Sequence, residues 1–310
     1  MSVAVVLLLL LGAGLGWAWT PDKSRTELEA KYAGPASRFV ELDGMRWHVR
    51  DSGDRSAGQA APPVLMLHGF GSSLHTWEAW AQALQPDLRV LRVDLPGAGL
   101  SGPPPANDYS DERAMQLLLA LLDHLQLPQV QLLGHSMGGR LAWRFAAAHP
   151  ERVARLVLVA PDGFASPGFE YGKAPEVGWS LRLMRQILPR PVLRMGLAPA
   201  YANPKLLQDE TVKRYHDLLL APGNRDAMIA RMEQVVLQDP VPMLRTIQAP
   251  TLLLWGELDQ MIPVRNAQDY LQAMPNARLQ VVPGLGHVPH EEAPELGLDG
   301  LKQFLLQPMP

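Results

Sequence analysis

Three residues far apart in the chain have the types and the order that acyl-transfer chemistry needs: Ser136, Asp259 and His287. Ser136 sits in Gly134-His135-Ser136-Met137-Gly138-Gly139. This is a G-x-S-x-G pattern, in which glycines permit a sharp strand-to-helix turn that lifts the serine oxygen clear of the backbone. A serine hydroxyl needs a base to take its proton, and the base needs an acid to orient it. Asp259 follows the apolar run Leu252-Leu253-Leu254-Trp255, with Glu257 as a rival acid two residues earlier. His287 follows Leu279-Gln280-Val281-Val282 through Pro283-Gly284-Leu285-Gly286, with His290 as a rival base. The order serine, acid, histidine is the one that accompanies this type of turn. Charge developing on a tetrahedral intermediate needs backbone N–H donors. The amide of Met137, directly after the nucleophile, is one. The amide of Phe70, in His68-Gly69-Phe70-Gly71, is the expected second, with His68 holding that loop.

Each of these residues must stand at the carboxyl end of a strand. Short Val- and Leu-rich runs predict strands at 64–67, 89–93, 130–133, 155–160, 251–255 and 278–282. Their lack of polar alternation suits strands buried on both faces of a parallel sheet. A hairpin precedes them, Phe39–Leu42 and Met45–Val49 around the turn Asp43-Gly44. Helical spacing fills the gaps. Met115, Leu118, Leu119 and Leu122 mark one helix behind a Ser110-Asp111 cap, and Leu141, Ala142 and Phe145 mark another. The reading is a doubly wound α/β core over residues 39–162 and 247–310. Residues 163–246 interrupt it with helical patterns near 179–188, 207–220 and 224–237, a cap over the strand ends where open α/β sheets keep their sites.

Composition sets the bounds. The chain has 310 residues, 47% hydrophobic and 19% charged, which is enough to bury a large core. Its net charge of −3 argues against a basic nucleic-acid surface. With no cysteine, disulfides, thiolate metal sites and a thiol nucleophile are excluded. No phosphate-binding loop, dinucleotide fingerprint or H-E-x-x-H occurs, so neither cofactor nor metal is expected.

Residues 1–20 carry no charged side chain. About 20 apolar residues span a bilayer, and Trp17 and Trp19 fall where an interfacial belt would sit. A membrane anchor is expected, with a cleaved signal peptide as the alternative. Residues 21–38 read as a polar linker. Lys23, Arg25, Lys31 and Arg38 follow the span, which places the body in the cytoplasm, or outside it if the segment is cleaved. Between Gly163 and Leu206 the cap carries Lys173, Arg182, Arg185, Arg190, Arg194 and Lys205 against Glu170 and Glu176. Leu181, Met184 and Leu188 share one helical face there. That pattern fits a cap lying on anionic lipid, or an ordinary cap helix with solvated arginines.

Taken together, His68-Gly69-Phe70-Gly71, Asp94-Leu95-Pro96-Gly97-Ala98-Gly99-Leu100-Ser101, the Ser136 turn, Gly256-Glu257-Leu258-Asp259 with Pro263, and Gly286-His287 resemble the α/β-hydrolase fold superfamily over about residues 39–306. Within it the chain is similar to capped bacterial esterases and lipases and to membrane-anchored monoacylglycerol-lipase-like hydrolases. The resemblance implies a mostly parallel eight-stranded sheet with helices on both faces, a Ser136–Asp259–His287 triad, and a structural Asp94 that ties loops together. Dehalogenases and epoxide hydrolases of this fold use an aspartate where Ser136 stands, which argues against both. Many relatives carry a bulkier residue at the position of Ala98. The expected activity is hydrolysis of small apolar carboxylic esters through an acyl-enzyme. Phe70, Met137, Trp179, Leu183, Met184 and Ile187 offer the apolar surface. The alternatives are a serine C–C hydrolase of aromatic-degradation products and a non-catalytic, membrane-tethered binding protein. The residues leave the oligomeric state open.

Overall fold

The apolar runs become eight strands of one sheet in a computed structural model that describes residues 18–53, 61–165 and 170–308. They are β1 (Ser37–Leu42), β2 (Met45–Asp51), β3 (Val64–Leu67), β4 (Val90–Val93), β5 (Val130–His135), β6 (Val153–Val159), β7 (Thr251–Gly256) and β8 (Ala277–Val282). Their order is β1-β2-β4-β3-β5-β6-β7-β8. Strand β2 runs antiparallel to β1 and β4, and the other pairings are parallel. Every residue of β3, β5, β6 and β7 is buried, which is why these strands show no polar alternation. The hairpin turn takes positive φ at both Asp43 and Gly44, the conformation that a two-residue turn needs to match strand twist.

Alternate residues point to opposite faces and feed two cores. Leu65 and Leu67 join Leu118, Leu121, Leu132, Phe145, Trp255 and Tyr270 on one side. Val64 and Met66 join Trp77, Trp80, Leu133, Val157, Leu254 and Phe304 on the other. The helices of seven residues or more are α1 (Arg25–Tyr32), α2 (Glu78–Leu84), α3 (Asp111–His124), α4 (Met137–Ala148), α5 (Arg190–Leu197), α6 (Asp209–Leu219), α7 (Asn224–Gln234), α8 (Asn266–Ala273) and α9 (Pro294–Leu305). The Ser110 side chain caps α3 by accepting from the Arg113 amide at 3.2 Å. Its buried stripe is Ala114, Leu117, Leu118, Leu121 and Leu122, so Met115 and Leu119 flank the stripe they were expected to form.

Between β6 and β7 the chain leaves the sheet and builds the cap from α5, α6 and α7 around Val177, Leu188, Leu193, Tyr215, Leu219, Met228 and Ile229. Three details differ from expectation. The stretch 179–188 forms a single α-helical turn, Trp179–Arg182, and a 3-10 turn, Leu183–Arg185. Helix α5 follows it behind Pro189, where the sequence pattern gave no helix. Leu244 and Ile247 pack into the main core, so the insertion returns to the sheet before residue 246.

The segment expected as a linker is a strap. Ser24 caps α1, and Leu28 is 1% exposed against Leu100, Leu218 and Ala221. Lys23 and Lys31 reach Asp217 of α6 at 2.9 and 2.7 Å, and Asp22 meets Arg225 at 2.6 Å. Trp19 pairs with Ile187 of the cap in an antiparallel bridge. The polar residues that read as a solvated linker are the fastenings themselves. The anchor or signal peptide falls mainly on residues 1–17, outside the described residues. Among the described residues no helix is long and apolar enough to cross a membrane.

Candidate active site

The loops that leave the carboxyl ends of β3, β5, β7 and β8 meet at one place. Ser136, between β5 and α4, has φ 51° and ψ −119°, a conformation that L-residues rarely adopt. Packing holds it there. A Cβ on Gly134 would lie 2.3 Å from the Gly138 carbonyl oxygen, and one on Gly138 would lie 2.4 Å from that of Leu67. Only glycine allows strand, helix and β3 loop to approach so closely. The Ser136 amide donates to Val159 of β6 at 3.0 Å, and its carbonyl accepts from Asp162 and Arg140.

The histidine and the acid come together as expected. His287 Nδ1 lies 2.7 Å from Asp259 Oδ2, both side chains being buried. The other oxygen of Asp259 accepts from the amides of Met261 and Ile262 at 2.8 and 2.9 Å, which fixes the carboxylate. A proton on Nδ1 toward Asp259 leaves Nε2 of the neutral ring as an acceptor. The rivals lie elsewhere. Glu257 is exposed and accepts from the Gly284 amide at 3.0 Å. His290 is buried against Trp77, bonded to the Thr76 hydroxyl at 2.9 Å, and burial pushes its pKa down to about 3.

Phe70 and Met137 line one cavity, and neither amide donates to another described residue. Met137 opens α4, whose first N–H groups have no partner within the helix. His68 is a loop holder: its Nδ1 meets the Gly69 carbonyl at 2.8 Å, its Nε2 accepts from the Leu95 amide at 3.0 Å, and burial lowers its pKa. Asp94 takes Leu74, Leu100 and His48 at 2.6, 2.8 and 2.6 Å. Burial alone would raise its pKa; the charge and hydrogen bond of His48 outweigh that and hold it well below the usual carboxylate range.

Three residues at the site were missed by the sequence reading. His135 donates from Nε2 to the His287 carbonyl at 2.9 Å; burial first, then His290 and His287, keep it neutral. Glu292 accepts from the amides of Gly286, Asn203 and Ala202, joining the His287 loop to the cap. Glu291 accepts from Tyr201, Tyr215 and Arg214, all in the cap. The signal available was a pair of acids four and five residues after the histidine. Beside the site lies a cavity whose walls include Phe70, Met137, Tyr215, Met228 and Arg231.

A positive-φ serine at a strand-to-helix turn, an Asp-bound histidine at a later strand end and a capped parallel sheet define the α/β-hydrolase class. The family model for the alpha/beta hydrolase fold matches residues 62–294. The chain belongs to that family and is a hydrolase. It is 32% identical over 265 residues to a 2-hydroxy-6-oxononadienedioate/2-hydroxy-6-oxononatrienedioate hydrolase of Cupriavidus pinatubonensis, covering 81% of this chain and 89% of that one. It is 31% identical over 248 residues to a poly(3-hydroxyalkanoate) depolymerase of Ectopseudomonas oleovorans, covering 79% and 84%. Among solved structures, a membrane phospholipase A described as a bacterial virulence factor superposes with a TM-score of 0.69 at 25% identity, over 98% of this chain and 96% of that one.

Proposed function

We propose that the protein is a serine hydrolase that cleaves small apolar carboxylic esters by two-step acyl transfer on Ser136. The observation that carries this reading is the strained Ser136 turn beside a His287 already bonded to Asp259 at 2.7 Å. His287 Nε2 takes the hydroxyl proton as Oγ attacks the ester carbonyl, and Asp259 stabilises the imidazolium. The amides of Phe70 and Met137 hold the oxyanion. The tetrahedral intermediate collapses, His287 gives its proton to the leaving alcohol, and water then repeats the sequence to release the acid and restore Ser136. The polyester named in the depolymerase relative supports ester chemistry. A fluorophosphonate probe tests it: labelling that disappears in Ser136→Ala, with turnover of p-nitrophenyl esters or monoacylglycerols, is expected. The Cupriavidus relative favours a second reading, C–C bond hydrolysis of a vinylogous diketone. Turnover of such a diketone with none of any ester would establish it instead.

The same reading places the protein on a membrane through its N-terminal residues. Support comes from the charge-free sequence of residues 1–20 and from the exposed Trp179, Val192 and Met195 (77, 55 and 75% exposed) on the cap that binds Trp19. The similarity to a membrane phospholipase A is in line with it. Arg182 and Arg185 contribute less than their number suggests, because Glu233 and Asp226 pair with them. Leu188, read as part of a lipid-facing stripe, is buried in the cap. The full chain is expected to remain in the membrane fraction through a high-salt wash and to leave it in detergent. Release by salt alone contradicts the anchor.

A further inference from the structure

The cap arginines divide by what they meet. Arg182, Arg185, Arg194, Arg214 and Arg225 reach Glu233, Asp226, Asp209, Glu291 and Asp22 respectively. Arg190 and Arg245 are exposed. Arg231, on α7, is 7% exposed and pairs with no carboxylate among the described residues. Its Nη2 donates to the Pro96 carbonyl at 2.6 Å, its Nη1 lies 3.4 Å from the Met137 sulfur, and its guanidinium stands 5.4 Å from the centre of the Tyr109 ring. Asp111 attracts it from farther away, but both oxygens of Asp111 are taken by Arg140. Burial lowers its pKa to about 10, so it stays charged at neutral pH.

Keeping a guanidinium dry without a counter-ion is costly. Binding the Pro96 carbonyl does not require a positive charge. A guanidinium offers five N–H donors in a planar fork shaped for oxyanions, and only two contacts of this one are to described acceptors. Arg231 also lines the cavity with Phe70 and with Met137, the residue that follows Ser136. We propose that Arg231 is the anion-binding group of the substrate pocket, so that the ester carries a carboxylate or phosphate on the part lodged between α7 and Met137. This rests on the ester-hydrolase reading and narrows its substrate class: an apolar ester with one oxyanion at its far end.

Full-chain Ser136→Ala, titrated by calorimetry, separates the possibilities without turnover. The ligands are monobutyl glutarate, its methyl diester, and 2-(butyryloxy)ethyl phosphate. At least one anion should bind about tenfold or more tighter than the neutral diester, and adding Arg231→Met should remove that advantage. Preference for one anion over the other identifies the oxyanion. Equal binding of all three, no binding by any, or an advantage that survives Arg231→Met overturns the proposal. If Arg231→Met does not fold, Arg231→Lys keeps the charge but not the fork and should narrow the ratio severalfold; an unchanged ratio overturns it. Turnover by the unsubstituted chain is read separately. If no ester is cleaved, the ester reading fails, while the binding ratio still decides the role of Arg231.

Discussion

The sheet and the cap solve the same positioning problem by different means. In the sheet, Ser136 and Asp259 follow strands β5 and β7, which are buried by apolar layers on both sides, and His287 follows the edge strand β8, whose last residue Val282 is buried. The polar groups behind them, Asp94 and His135, are buried and bonded. The cap has a smaller core of its own and is held to the rest by carboxylates: Glu291 and Glu292 to the histidine loop, Asp217 to the N-terminal strap. Apolar packing fixes geometry to a fraction of an ångström. Ion pairs whose cations are part-exposed, as those of Lys23 and Lys31 are, are worth less and exchange with water. The candidate catalytic residues therefore stand on the apolar-packed part, and the cap that covers them is fastened by polar contacts.

The sharpest break of this comparison is on the sheet side. Ser136→Ala should lower turnover by roughly 10⁵–10⁶-fold with an unchanged circular dichroism spectrum. Asp259→Asn should cost about 10⁴-fold by favouring the wrong imidazole tautomer, measured as kcat on a chromogenic ester. Near-full activity in Asp259→Asn would reject the acid assignment.

At the seam the expected effects are smaller and of another kind. Glu292→Gln weakens charge-assisted bonds from Gly286, Ala202 and Asn203 at once. A loss of about tenfold in kcat/KM, with a lower Tm, is expected. A loss as large as that of Asp259→Asn would mean that Glu292 belongs to the reaction. Asp217 gives the smallest effect and a pH signature. Burial would raise its pKa, but hydrogen bonds from Lys213, Lys31 and Tyr32 hold it well below the usual range. Its folded pKa is thus below the unfolded value of about 3.9, so its stabilisation is complete above that pH and fades as the pH falls toward the folded value. The Tm difference between the unsubstituted chain and Asp217→Asn should be a few degrees at pH 6 and shrink below about pH 4. A difference independent of pH would place the cause in packing.

The same contrast explains what the sequence could tell. The buried strands were legible because apolar runs have no other use: β3 was expected over the residues it occupies, and β5, β6 and β7 within two residues. The pairing of Asp259 with His287 was legible because each stands at a strand end in a recognisable chain order after Ser136. The cap and strap were not. Leu188 looks the same on a lipid-facing stripe and in a small core, and Lys23, Asp22 and Lys31 look the same on a solvated linker and in a clasp. Only the partner distinguishes those cases, and the partners Asp217 and Arg225 lie 186 to 203 positions away, a separation that no local pattern encodes.

The backbone of Ser136 has a consequence for anyone who selects this protein for heat tolerance. A residue held at φ 51° and ψ −119° raises the folded state by about 1–3 kcal/mol, and glycine is the residue that relieves it. Ser136→Gly should therefore melt higher while being catalytically dead. A screen that reads only survival on heating will enrich inert molecules at this codon, so thermostability libraries here need a turnover readout at every round.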